Sequence, residues 1–118
     1  MSRRRGDNDS LVVICWRDIP AQVNAGSGSS KIQRILPRRF QRAIDRAAMA
    51  AGKTGASQYI GEWRRKVLPG EPGEPEAAVL RAATEIERSF PPERLKDFVA
   101  AGGWDPENAT ENPLEATP

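Results

Sequence analysis

Apolar and polar positions divide the chain into an extended N-terminal part and a helical remainder. Leu11 to Trp16 reads LVVICW, six apolar residues in succession, rich in β-branched side chains. This length and composition predict a short strand covered on both faces. A polar corner follows, Arg17-Asp18-Ile19-Pro20, and then a second extended segment from Ala21 to Ala25, so the two form a hairpin. Pro20 has no backbone N–H, which places the start of the second segment at an edge or a bend. Gly26-Ser27-Gly28-Ser29-Ser30 is a loop by composition.

Beyond the loop the apolar period changes to that of a helix. Pro37 stands at a helix start and Gly52 at a helix end. Between them Phe40, Ala43, Ile44, Ala47, Ala48 and Ala51 share one face, while Arg38, Arg39, Arg42, Arg46 and Met49 lie opposite with Asp45 among them. Ser57 reads as the N-cap of a short second helix with Tyr59, Ile60, Trp63 and Val67 on its apolar stripe. The segment from Pro69 to Pro75, PGEPGEP, breaks any helix. A third helix is predicted on Val79, Ala83, Ile86 and Phe90, and a fourth, after Pro91-Pro92, on Leu95, Phe98 and Val99, ending at Gly102-Gly103. The expected fold is α+β: a small two-layer domain in which the N-terminal β-hairpin, with a candidate third strand near Arg65–Leu68, is packed by three or four helices. Residues 1–9 read as a disordered basic arm, 10–104 as one domain, and 105–118 as a disordered acidic tail.

Composition narrows the function classes. With 118 residues, 38% apolar and 29% charged, the chain has room for one modest core. No apolar run nears the roughly eighteen residues that span a bilayer, and a six-residue apolar run behind Asp7 and Asp9 is too short for a secretory signal. A cytoplasmic protein without membrane association is expected, and a single cysteine suits that compartment. There is no histidine. The commonest general base, the Ser-His and Cys-His nucleophile pairs and the usual zinc ligand sets are therefore missing from the protomer. Cys15, inside the most apolar run, reads as a small hydrophobe. GSGSSK, residues 26–31, lacks the Gly-Lys-Ser/Thr order of a phosphate-binding loop. No catalytic residue, metal ligand or cofactor is expected, and the chain reads as a non-enzyme.

Two stretches carry a resemblance: W-R-D-I-P-A-Q-V, residues 16–23, and R-F-Q-x-A-I-D-x-A-A-M-x-A-G, residues 39–52. With these the span from Leu11 to Gly103 resembles the small "virulence factor" domain, which also occurs in conserved virulence factor C proteins. That family name records a genetic association and defines no chemistry. Relatives look like companions of folate- and corrinoid-dependent one-carbon enzymes, and some are fused to helical-repeat scaffolds that this chain lacks. The resemblance thus implies an accessory or regulatory role.

Charge supplies the candidate site. Residues 1–66 hold fourteen Lys/Arg against five Asp/Glu, and residues 67–118 hold four against eleven, so a basic half faces an acidic one. Arg38, Arg42 and Arg46 form a ridge about 12 Å long at a rise of about 1.5 Å per residue. Their mutual repulsion calls for a compensating anion. Arg38, Arg39, Arg42 and Arg46, with Arg17 at the hairpin corner, are the candidate partner-binding residues. The leading expectation is a protein partner with an acidic surface, a one-carbon enzyme among the candidates. The alternative is a nucleic-acid-binding regulator using the same arginine face. The chain's own acidic half is a third source of compensating charge, and the oligomeric state is left open. For Arg17-Asp18, turn chemistry with an ion pair is favoured over a recognition role.

Overall fold

The computed structural model describes residues 11–26, 31–68 and 74–107. The proposed arm, residues 1–9, and residues 108–118 of the proposed tail lie outside them. Within them four strands form one antiparallel sheet: β1 (Leu11–Trp16), β2 (Ile19–Ala25), β3 (Ile32–Ile35) and β4 (Trp63–Leu68), in the order β3-β2-β1-β4. Among the described residues four helices accompany them: α1 (Arg38–Ala50), α2 (Ala56–Ile60), α3 (Pro75–Ser89) and α4 (Pro92–Ala100). The fold is the expected small α+β domain with an N-terminal hairpin.

Strand alternation explains how the sheet is packed. Leu11 and Val13 of β1 stand beside Ala25 and Val23 of β2, and this face is buried. Phe40, Ile44 and Ala47 from α1, Val79 and Ala83 from α3, and Leu95 and Phe98 from α4 pack with it into one core. The alanines of α1 lack bulk, which lets that helix approach β2 closely. Val12 and Ile14 point the other way and are only half-buried. The expectation that both faces of β1 are covered holds in part: the main helical layer roofs one side, and on the other Trp16 is fully buried beneath Tyr59 while Val12 and Ile14 are half-buried.

Two further expectations change. The apolar stripe from Tyr59 to Val67 does not belong to one helix. The short helix α2 ends at Ile60, and after a turn the chain extends from Trp63 as β4, with Val12 opposite Val67 and Trp16 opposite Trp63. Four-residue spacing groups Tyr59, Trp63 and Val67 on a helix, but Trp63 and Val67 also share one face of a strand, where every second side chain points the same way. Ser57 lies inside α2, whose N-cap is Gly55; the Gln58 side chain accepts from the Gly55 N–H at 3.3 Å. The candidate strand near Arg65–Leu68 is thus real and begins two residues earlier. The strand β3, IQRI, went unforeseen because three of its four side chains are exposed.

Glycine closes two of the helices. After α1, Gly52 adopts φ +71°, its N–H donates to Met49 O, and Lys53 N–H donates to Ala48 O at 2.8 Å. After α4, Gly102 and Gly103 repeat the arrangement, bonding back to Val99 O and Phe98 O. Both are left-handed caps of the kind glycine adopts without a Cβ penalty.

Candidate functional site

The β1–β2 corner is where distant parts of the chain meet. Trp16 is fully buried; its indole N–H donates to Tyr59 O at 2.8 Å and its ring stacks on Tyr59 at 5.8 Å. Arg17 follows at φ 56°, a conformation that non-glycine residues rarely adopt. Its environment holds it there. The Arg17 N–H donates to Glu62 O at 2.9 Å, Nε donates to the Glu62 carboxylate at 3.2 Å, and an Nη donates to Gly102 O at 2.9 Å. The guanidinium also lies 5.2 Å from the Trp16 ring and 4.8 Å from the Trp104 ring. Only 8% of Arg17 is exposed.

Asp18 completes the junction. Its N–H donates to Gly103 O at 2.8 Å, and its carboxylate accepts from the Asp105 N–H at 2.7 Å and from Lys66 Nζ at 3.1 Å. The Arg64 guanidinium also lies over the Trp104 ring, 4.8 Å from its centre. The corner therefore ties β1, β4 and the end of α4 together, and Asp105 is held against it. Cys15, next in line, is buried, and burial pushes its thiol from 9.0 up to about 11. That leaves it protonated and unreactive at neutral pH.

The helix α1 divides the remaining candidates. Arg39 turns toward the end of α3, donating to Glu87 O at 2.9 Å and to Phe90 O at 3.3 Å, with its guanidinium 4.9 Å from the Phe40 ring. These carbonyls belong to the last turn of α3, where the helix leaves acceptors unpaired and carries partial negative charge. On the opposite flank Gln41 donates to Asp45 at 2.9 Å and to the Tyr59 hydroxyl at 3.2 Å. Between the flanks Arg38, Arg42 and Arg46 are exposed and make no hydrogen bond or ion pair with any described residue. Met49, 64% exposed, lies on the same strip.

The five candidate residues thus separate into two internal cations, Arg17 and Arg39, and a ridge of three outward ones. Sequence spacing groups Arg39 with the ridge, because helix periodicity alone does not reveal which neighbour a flanking residue meets. Among the described residues no cluster of His, Cys, Asp or Glu is arranged to hold a metal, and no helix is long and apolar enough to cross a membrane.

The family model described as "Virulence factor" matches residues 14–99, from the middle of β1 to the last turn of α4. The chain belongs to the Virulence factor family. No curated protein and no solved structure matches it. The Virulence factor match covers the whole ridge and the corner residues Trp16, Arg17, Asp18, Glu62, Arg64 and Lys66, while Gly102, Gly103, Trp104 and Asp105 lie beyond its end.

Proposed function

We propose that this Virulence factor domain is a non-enzymatic accessory module that binds another protein through the α1 ridge. One observation carries the reading: Arg38, Arg42 and Arg46 are exposed and unneutralised, while Arg17, Arg39 and Arg64 are engaged within the domain. Three cations on successive turns repel one another, and an acidic surface removes that cost. Arginine suits the task, since its planar fork pairs with carboxylates in bidentate fashion. Exposed Met49 beside the ridge favours a protein over a nucleic acid, because it supplies an apolar contact inside a charged rim. Stacking on single-stranded bases needs exposed aromatic faces. Phe40 is buried, and Tyr59 and Trp63 pack edge-to-face at 5.9 Å. The likeness to companions of folate- and corrinoid-dependent enzymes makes a one-carbon enzyme the first partner to examine.

Titration of the purified domain against duplex and single-stranded nucleic acid at rising salt separates the two classes. A protein-binding ridge gives only weak association that vanishes at physiological salt. Tight association whose logarithm falls linearly with the logarithm of salt concentration, with a slope of several phosphates, would instead establish the nucleic-acid regulator.

A further inference from the structure

The strand β4 is an outer strand of the sheet, and its free edge is unusually well defined. Arg17 N–H donates to Glu62 O, across the pair that continues into β4. Because backbone groups alternate along a strand, this bond sets the direction of every later one. Arg64 and Lys66 turn their N–H and C=O toward β1, and Trp63, Arg65 and Val67 turn theirs outward. No hydrogen bond to the outward groups is made by any described residue. The side chains of the same three residues lie on the sheet face away from the core, with Ile14 opposite Arg65 and Val12 opposite Val67; Tyr59 of α2 packs on Trp63 at one end, and the Val67 end is open. Val67 is 65% exposed, and Ile35 on β3, at the far side of that face, is 77% exposed. By register the rest of the face is Trp16, Gln22, Asn24 and Gln33, so within the four strands Arg65 is its single charge.

We propose that the β4 edge takes an extended segment of a partner protein by strand addition, with apolar side chains at alternate positions and a carboxylate facing Arg65. The unpaired backbone groups supply the binding, and Trp63, Arg65 and Val67 select the side chains. Charge decides the occupant. A second copy of this chain, pairing antiparallel about the centre of the edge, would set Arg65 against Arg65, and like charges directly opposite are destabilising. A carboxylate at that place is attracted instead, at the Cα separation of roughly 5.5 Å found in hydrogen-bonded pairs. Arg64 and Lys66 point to the other face, where Trp104 and Asp18 engage them, so they do not compete. This surface lies on different elements from the α1 ridge and stands independently of it.

The test is an amide-resolved NMR titration of the full chain with two blocked peptides, Thr-Val-Thr-Glu-Thr-Val-Thr and its counterpart with Lys for Glu. The expected result is shifts and slowed hydrogen exchange centred on the amides of Trp63, Arg65 and Val67. The Glu peptide should bind more tightly by roughly two- to tenfold, the combined effect of one attractive and one repulsive cross-strand pair. Arg65→Glu should reverse the preference. Val67→Pro removes an N–H the sheet does not use, and should abolish the shifts in a folded protein; should that variant fail to fold, the Arg65→Glu reversal decides alone. Absence of shifts at these amides, or a preference that survives Arg65→Glu, overturns the proposal. It also falls if deleting residues 108–118 alone changes exchange at the same amides, since the occupant would then be this chain's own C-terminal segment.

Discussion

Gly103 shows how closely the corner is fitted. A Cβ built there would lie 2.9 Å from the Trp16 ring and 3.3 Å from the Arg17 Cβ, at φ +98°. Both the close approach and the backbone conformation exclude a side chain. Gly103→Ala should therefore lower stability by about 2–4 kcal/mol, combining overpacking with left-handed strain. The denaturant midpoint measures this, and an unchanged midpoint would show that the corner yields freely. Cys15 gives a second residue-scale expectation. Its folded-state pKa lies above the unfolded value, so the neutral thiol favours the fold below about pH 9, and this contribution is lost as pH rises toward about 11. A shift of this size corresponds to about 2–3 kcal/mol. Wild type should lose stability relative to Cys15→Ala between pH 9 and 11. Parallel stability curves for the two proteins across that range would contradict the burial.

At the level of elements, the two flanks of α1 behave differently. Arg39 joins the helix to the last turn of α3 by two bonds from a charged donor, and Arg39→Gln should cost about 1.5–3 kcal/mol. Arg38→Gln, Arg42→Gln and Arg46→Gln should each be neutral or stabilising by about 0.2–0.5 kcal/mol, because each removes repulsion across one turn. Urea titrations of the four variants give this ordering directly, and equal effects at all four positions would dissolve the division. The helices were legible in the sequence because their buried faces follow a clean 3.6-residue period between proline starts and glycine ends. The strand β3 was not, since Gln33, Arg34 and Ile35 are exposed and leave no apolar alternation to mark a strand that pairs with β2. Nor was the start of β4, because Tyr59, Ile60, Trp63 and Val67 satisfy helical spacing although Ile60 and Val67 face solvent.

Across the whole molecule, cations near the corner and the α1–α3 joint hold elements together, whereas the ridge cations make no hydrogen bond or ion pair with any described residue. The ridge was readable as a run of arginines four apart. That Arg17 and Arg39 differ from it was not, because their partners, Glu62, Gly102, Glu87 and Phe90, are 45 to 85 residues away in sequence. Two ion pairs, Arg17–Glu62 and Lys66–Asp18, join partners that both lie in the basic half. The most direct measurement compares proteins captured from nuclease-treated native extract by wild type, by R38Q/R42Q/R46Q, and by a control that loses the same charge elsewhere, R34Q/K53Q/K96Q. Quantitative mass spectrometry should show a defined set of partners held by wild type and the control and lost by the ridge variant, which stays folded. Capture of the same set by the ridge variant, or equal loss with the control, would contradict the assignment of the ridge as the binding surface.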